Sequence, residues 1–406
     1  PARQRRLSNV EYERTVQEWL DVDVALADRL PPDVRQNGFS RNSEEPVVSA
    51  FATRIASLAS EVATLAVARS SPRWKCTNDA RTCATELVER EAPRALRRPL
   101  EASERARLVD LYVSAEEVEP GSGARWLVTA LLQSPSFLYV SERGAPTTLP
   151  GRRRLDSFEI ASVLSYTIRG GPPDDALLDA ARRGALTRGS ARQEQARRLL
   201  AQSSTRHHFR RFVLEWLEVD QLERTAKVPD VATHYEDLKP RMLAETSAFV
   251  DEVMVNRGAS IASLLDGGFS SVDPKLARFY DFDAWGPRVD SRRAGRVGLL
   301  QQASFLAAHA HPDSSSPVKR GDFVLRRLLC INLPRPQELD IEVSIPTPDH
   351  SLTTRERFSA HQANTSCRTC HDSIDALGFT FESFDAAGKK RNLENGRAID
   401  TKSHFE

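Results

Sequence analysis

Apolar side chains recur through most of this chain at intervals of three and four residues, the spacing of a helix with one buried face. Ser8-Asn9-Val10-Glu11 forms a capping box, and Tyr12, Val16, Trp19 and Leu20 follow on one face, which predicts a first helix. Asp156 with Glu159 opens another, carrying Ile160, Val163 and Leu164. It should stop at Gly170-Gly171-Pro172-Pro173, where a helix would need the wrong φ and a missing donor. Phe209, Phe212, Val213, Trp216 and Leu217 describe a broad core-facing stripe over 208–217. A further helix is expected over 240–254, and Thr353-Thr354-Arg355-Glu356 caps one that carries Phe358 and His361. Strand-like alternation is nearly absent, with 341–345 a short apolar candidate. The expected fold class is therefore all-α.

Two stretches interrupt the helical pattern. Residues 141–154 are rich in Gly, Pro, Thr and Arg and mark the expected domain boundary. Residues 332–349 carry prolines at 334, 336, 346 and 348 and should form an extended linker. The chain divides on this reading into an N-terminal helical domain over 1–140, a central helical domain over 155–331 and a small C-terminal segment over 350–406. No internal repeat or low-complexity tract is visible.

Composition narrows the setting. A chain of 406 residues with 40% apolar content can bury a large core. Its net charge of +1 provides no global field for nucleic acid or for an anionic membrane. No run approaches the roughly 18 apolar residues that span a bilayer, and the chain opens Pro1-Ala2-Arg3, as a trimmed, exported product would. Of five cysteines, Cys76 and Cys83 bracket a polar loop and are expected to pair in an oxidising compartment. Cys330, in Leu328-Leu329-Cys330-Ile331, is expected to be a buried, inert thiol.

The remaining cysteines carry the chemistry. Residues 367–371 read Cys-Arg-Thr-Cys-His, the CxxCH pattern of covalent c-type haem attachment. On a helix Cys367, Cys370 and His371 share a face, so two thioethers and one iron ligand are delivered together. The alternatives are a zinc knuckle or a redox CxxC that happens to precede histidine; a zinc knuckle would need a second ligand pair, and no CxxC, HxxxH or CxxH stands elsewhere. Gly378 permits close backbone approach, while Leu377, Phe379, Phe381 and Phe384 serve either as an apolar haem wall or as plain core. Met242 and Met254 fall on a helical pattern, which leaves His311, then His361, as candidates for a second axial ligand. Lys319, Arg320, Arg355 and Arg357 are candidates for pairing with haem propionates.

These residues, taken with several blocks upstream, resemble a family of multi-domain proteins of unknown function abundant in planctomycetes and myxobacteria, with a C-terminal planctomycete cytochrome-like domain. The blocks are Arg6-Leu7-Ser8-Asn9-Val10-Glu11-Tyr12, Leu96-Arg97-Arg98-Pro99-Leu100, Gln133-Ser134-Pro135-Ser136-Phe137-Leu138-Tyr139, and His311-Pro312 with Ser316-Pro317-Val318-Lys319-Arg320-Gly321. The resemblance is strongest from His361 through CxxCH to Ile374-Asp375, Leu377-Gly378-Phe379, Glu382, Phe384-Asp385 and Gly388. It implies an exported helical protein with one haem, and it singles out His311 and His361 as motif positions. Ala376 stands where the family pattern has proline, and family members continue beyond Glu406.

Two main classes of function are consistent with these features. One is an electron-transfer protein with a redox partner; the other is a peroxidase-like haem enzyme with an open iron position. A third reading makes the long helical body a surface or polymer-binding scaffold. A lipid anchor is an expectation for the exported protein under any of the three. The absence of GxSxG, HExxH or a P-loop argues against a hydrolase.

Overall fold

The computed structural model describes residues 3–42, 47–69, 71–334, 338, 349, 351–359 and 365–405. The chain is all-α, and among the described residues only short antiparallel strand pairs stand beside the helices. It folds as two compact units, Pro1–Phe209 and Arg210–Glu406.

In the first unit, β1 (Arg3–Arg6) pairs with β2 (Tyr139–Glu142), and β3 (Ala145–Pro146) with β4 (Arg153–Arg154). The early helices are α1 (Asn9–Leu20), α2 (Ser49–Arg69), the single turn α3 (Ser71–Trp74), α4 (Ala80–Leu96) and α5 (Ala102–Val118). They are followed by α6 (Gly123–Gln133), the turn α7 (Pro135–Leu138), α8 (Ser157–Ile168), α9 (Asp175–Arg182) and α10 (Gly189–Leu200).

The expected capping boxes form at both α1 and α8. At α1 the cap does more than start a helix. Burial raises the Glu11 carboxyl, but the charges of Arg5 and Arg41 outweigh it and hold the group down at about 2. Arg97 explains two of the sequence blocks together. Buried after α4, its guanidinium donates to the carbonyls of Ser136, Phe137 and Tyr139, at 2.7, 3.0 and 2.9 Å. One arginine thus fixes the turn that leads into β2.

The interval 141–154 holds the small β3–β4 pair, and α8 beyond it packs back on the first helix: the Tyr166 hydroxyl meets that of Thr15 at 2.8 Å. Cys76 and Cys83 are joined as a disulfide, with Cα atoms 5.6 Å apart. One helix departs from the expectation drawn from apolar runs. Alanine-rich α2 is long and apolar enough, by length and composition, to cross a membrane. Seven of its residues, from Phe51 to Ala66, are buried in the core of this unit, at helical spacing.

Helix α11 (Ser203–Trp216) crosses the division between units. Its stripe is narrower than the spacing suggests: Val213 and Leu217 are buried, whereas Phe212 is exposed. The second unit continues with α12 (Tyr235–Asn256), α13 (Ile261–Asp266), β5 (Phe269–Val272), α14 (Pro274–Tyr280) and β6 (Gly286–Asp290). Beyond these come α15 (Ala303–Ala308), α16 (Pro317–Phe323), α17 (Thr354–Ser359), α18 (Thr365–Gly378) and the strand pair β7 (Leu393–Glu394) and β8 (Arg397–Ala398). Strands β5 and β6 pair antiparallel with a register shift between Ser270 and Val272. The strand candidate at 341–345, and most of the proline-rich linker, lie outside the described residues.

Cys330 corrects an expectation. It is exposed, at φ 57°, beyond a π-helical turn over Val324–Leu328, with Leu329 and Ile331 also exposed. The apolar run ends a helix at the surface instead of crossing the core.

A buried carboxylate sits at the centre of the second unit. Glu245 on α12 accepts from the hydroxyls of Ser270 and Tyr280, the latter at 2.5 Å, and Tyr280 in turn accepts from the Ala303 amide. Burial pushes the Glu245 carboxyl up to about 7, against the two hydroxyls and the Arg296 charge. The unfolded chain therefore ionises this group near 4.5 while the folded chain keeps its proton to about 7. Stability should fall by about 3 kcal/mol as pH rises across that window. Urea unfolding at pH 4.5, 6 and 8 should show this loss in the wild type and its absence in Glu245→Gln.

Candidate functional site

The CxxCH segment lies within the first two turns of α18. Helical geometry places Cys367, Cys370 and His371 at i, i+3 and i+4, hence on one face. Both cysteines are free thiols and half-buried. Next to them Arg368 and Asp372 form an exposed i,i+4 pair at 3.5 Å.

His371 is held from behind. Its Nδ1 lies 3.1 Å from Oδ1 of Asp375, one turn further along α18, and the Asp375 side chain is 0% exposed. That hydrogen bond raises the imidazole pKa, with burial opposing it. A bond from Nδ1 to a carboxylate fixes the tautomer and puts the ring's lone pair on Nε2, at the opposite edge, which is the nitrogen a metal would use. Oδ2 of Asp375 is buried and has no hydrogen-bond partner among the described residues. A buried carboxylate with one unanswered oxygen calls for positive charge nearby, and an iron bound through His371 would supply it. The donor set, two thiols and an imidazole with its own buried acceptor, therefore fits a c-type haem. Among the described residues, no group of three or more His, Cys, Asp or Glu is arranged to hold a metal ion by itself.

What positions α18 is a close crossing with α16. A Cβ at Gly321 would collide with the carbonyl oxygen of Ile374, and one at Gly378 with the carbonyl oxygen of Pro317. Glycine at both positions lets the two backbones touch. Ser316 caps α16 through its hydroxyl, with Pro317 at the first helical position. The block Ser316-Pro317-Val318-Lys319-Arg320-Gly321 thus supplies a cap, a first turn and a crossing point.

Arg320 completes that block, and its place differs from a propionate partner. Its side chain is 0% exposed, and its two terminal nitrogens donate to the carbonyls of Leu306, Phe381, Phe384 and Asp385 at 2.8–3.1 Å. It ties α15 to the turns after α18. Lys319 is half-buried and donates to the Ala310 carbonyl at 3.1 Å. Arg355, on α17, donates to the Lys402 carbonyl and lies 4.5 Å over the Phe379 ring. Arg357 donates to the Thr354 hydroxyl at 2.9 Å.

The aromatic residues after CxxCH are core. Phe379 is covered by Arg355, Phe381 meets Phe305 at 6.1 Å, and Phe384 lies 4.9 Å under Arg296. Leu377 is half-buried. His311 occupies a tight turn in which its amide donates to the Ser314 carbonyl at 2.9 Å. Burial first, then Lys319, lowers its pKa, so the ring is neutral at neutral pH, the state a metal ligand requires. Ser315 anchors this turn to the C-terminal segment, donating to Glu382 at 2.7 Å and accepting from Arg391 at 3.1 Å. His361 lies outside the described residues.

Sequence reasoning misses the role of Asp375 and the Ser315–Glu382–Arg391 anchor. The first has a legible signal, a carboxylate four residues after a histidine on one helix. The second joins residues far apart in sequence and has none.

Four protein-family models match the chain in series. They are PSD3, protein of unknown function (DUF1587), at 5–68; PSD5, protein of unknown function (DUF1595), at 83–142; PSD4, protein of unknown function (DUF1592), at 155–282; and PSCyt3, protein of unknown function (DUF1588), at 296–394. The interval 143–154 falls between the second and third, and the α16–α18 crossing with CxxCH falls within the fourth. No curated protein and no solved structure matches. Capped helix, arginine clamp and glycine crossing all lie inside these matches, so the chain is similar, segment by segment and in series, to four families of unknown function of the planctomycete cytochrome-like type.

Proposed function

We propose that this protein is an exported, mono-haem c-type cytochrome-like protein that transfers electrons to or from a redox partner. The observation that carries this reading is the single helical face bearing Cys367, Cys370 and His371, with Nδ1 of His371 engaged by buried Asp375. The cysteines would form the thioethers, and His371 would ligate iron through Nε2. Haem c supplies a one-electron Fe(III)/Fe(II) couple when bound. The protein's part is to fix the ligand's tautomer through Asp375 and to hold α18 rigid against α16. The Cys76–Cys83 disulfide supports an oxidising compartment, periplasmic or cell-surface, where such attachment takes place.

A second reading, an oxidative enzyme with an open iron position, draws on one observation. Half-buried His311 is held neutral in a turn anchored to the C-terminal segment, as a distal base would be. His361 belongs to the same reading as a second candidate ligand. Absorption spectra of the full chain, made in a host that attaches haem c, separate the two. A covalent haem adduct by mass spectrometry, with a low-spin ferric spectrum and a sharp ferrous α band, is the expected result. A high-spin ferric spectrum that shifts with peroxide would turn the reading to the enzyme, and the absence of any adduct would remove haem altogether.

A further inference from the structure

We propose that Asp375 is a positioning residue whose charge lowers the potential of this haem relative to a neutral acceptor behind His371, and so biases it towards more strongly reducing electron donors. The inference rests on the haem reading above and goes beyond it. Three features of α18 carry it. The Asp375 carboxylate meets Nδ1 of His371, the ring nitrogen that does not ligate, at 3.1 Å. Its side chain is 0% exposed while that of His371 is 21% exposed, so water reaches the pair only from the ring's side and screens it weakly. Its second oxygen is buried and lacks a hydrogen-bond partner among the described residues, so its charge is not shared with another donor there.

The physical consequence comes from charge. A carboxylate that accepts the Nδ1 proton gives the imidazole anionic character and strengthens its donation to iron. Fe(III) carries one more positive charge than Fe(II), so the oxidised form gains more from this donation. Reduction, Fe(III) plus one electron to Fe(II), forms and breaks no bond here and becomes less favourable. A carbonyl behind a histidine orients the ring as well but brings no full charge. Burial of the carboxylate magnifies the difference, because a weakly screened charge acts more strongly than one in water.

Asp375 and His371 sit on the same rigid helix, one turn apart, and the Gly321–Gly378 crossing pins that helix just beyond them. The geometry between carboxylate and ring therefore does not depend on a mobile loop. This distinguishes a built interaction from an incidental surface pair.

The test is a spectroelectrochemical titration of the full-length haem-loaded protein, comparing wild type with Asp375→Asn and Asp375→Glu. Asparagine keeps an acceptor for Nδ1–H and removes the charge. Its potential should rise by the equivalent of at least a tenfold change in the Fe(III)/Fe(II) preference, 59 mV for one electron. Glutamate, which restores the charge, should return much of that shift. A purely structural role would change thermal stability in both variants without ordering the potentials by charge. A less than twofold change in Asp375→Asn, with haem attached, overturns the inference and leaves the haem reading intact. A wild type without haem overturns both. Should Asp375→Asn fail to fold, the redox-induced infrared difference spectrum of the wild type, with and without 13C-carboxyl aspartate, decides. A label-sensitive carboxylate band supports the inference, and its absence overturns it.

Discussion

Replacing Arg320 with methionine is expected to destabilise the second unit by about 3–5 kcal/mol, the cost of removing one partner from a buried charged network. The side chain is fully buried, and its four donations reach carbonyls on α15 and on the turns after α18. Methionine fills much of the volume but leaves those carbonyls without donors. The neighbouring carboxylate explains why the effect lies in hydrogen bonds more than in ion pairing. Glu382 Oε1 is 3.9 Å away, too far for a good hydrogen bond. Burial raises the Glu382 carboxyl despite Arg320 and Arg391, and burial also pulls the Arg320 guanidinium down to about 10. Desolvation therefore outweighs their mutual attraction. Arg320→Lys should recover only part of the loss, because three ammonium donors on a different geometry do not serve four acceptors. Hydrogen exchange read over 303–323 and 379–391 in mild urea measures the change. Protection equal to wild type in the methionine variant would show that the clamp is dispensable.

Gly378→Ala should cost on the order of 2–3 kcal/mol, the range for forcing an extra methyl into a packed interior. Its sign is diagnostic. Gly378 has helical dihedrals, φ −66° and ψ −39°, so alanine would by propensity stabilise the position by about 1 kcal/mol. The added Cβ, however, falls on the Pro317 carbonyl oxygen, a backbone atom that cannot swing aside. Net destabilisation therefore reports the helix crossing, not glycine's freedom. Widening the crossing would also displace α18 and the CxxCH face it carries. Urea unfolding tests this, and, if the proposed haem is attached, its yield per chain is a second readout. A variant as stable as wild type would mean that α16 and α18 do not meet as closely as their backbones indicate.

These two sites also mark where sequence reading stops. The sequence points to Gly378 for close approach, and to Arg320 for a charge partner outside the protein. Close approach needs only a missing Cβ, which the residue type itself states. What a guanidinium pairs with depends on which carbonyls converge on it, and those lie 14, 61, 64 and 65 residues away along the chain. The same contrast runs through the fold. The capping boxes at Ser8, Asp156 and Thr353 form where their residue pattern puts them, because each is closed within four residues. Helix α12 begins at Tyr235, five residues before the expected start, since proline within the early turns does not itself mark the first residue. Phe212 and Cys330 look interior from their sequence neighbours, and both are exposed. The described strands each run two to five residues, too short for a period of two to register.

The helical class, the caps, the Cys76–Cys83 pairing and the CxxCH face are all written in the residue order, because each depends on groups close together in the chain. The folded contacts were needed to make Arg320 a clamp, to place Phe379, Phe381 and Phe384 in the core, and to anchor the His311 turn through Ser315, Glu382 and Arg391. They also gave Asp375 its meaning. A carboxylate at i+4 from a histidine is a common surface pairing, and only complete burial, with one oxygen unanswered among the described residues, turns it into a charge that an iron ligand would feel. Local spacing sets which groups can meet, while burial sets how strongly they act, and burial is a property of the whole fold.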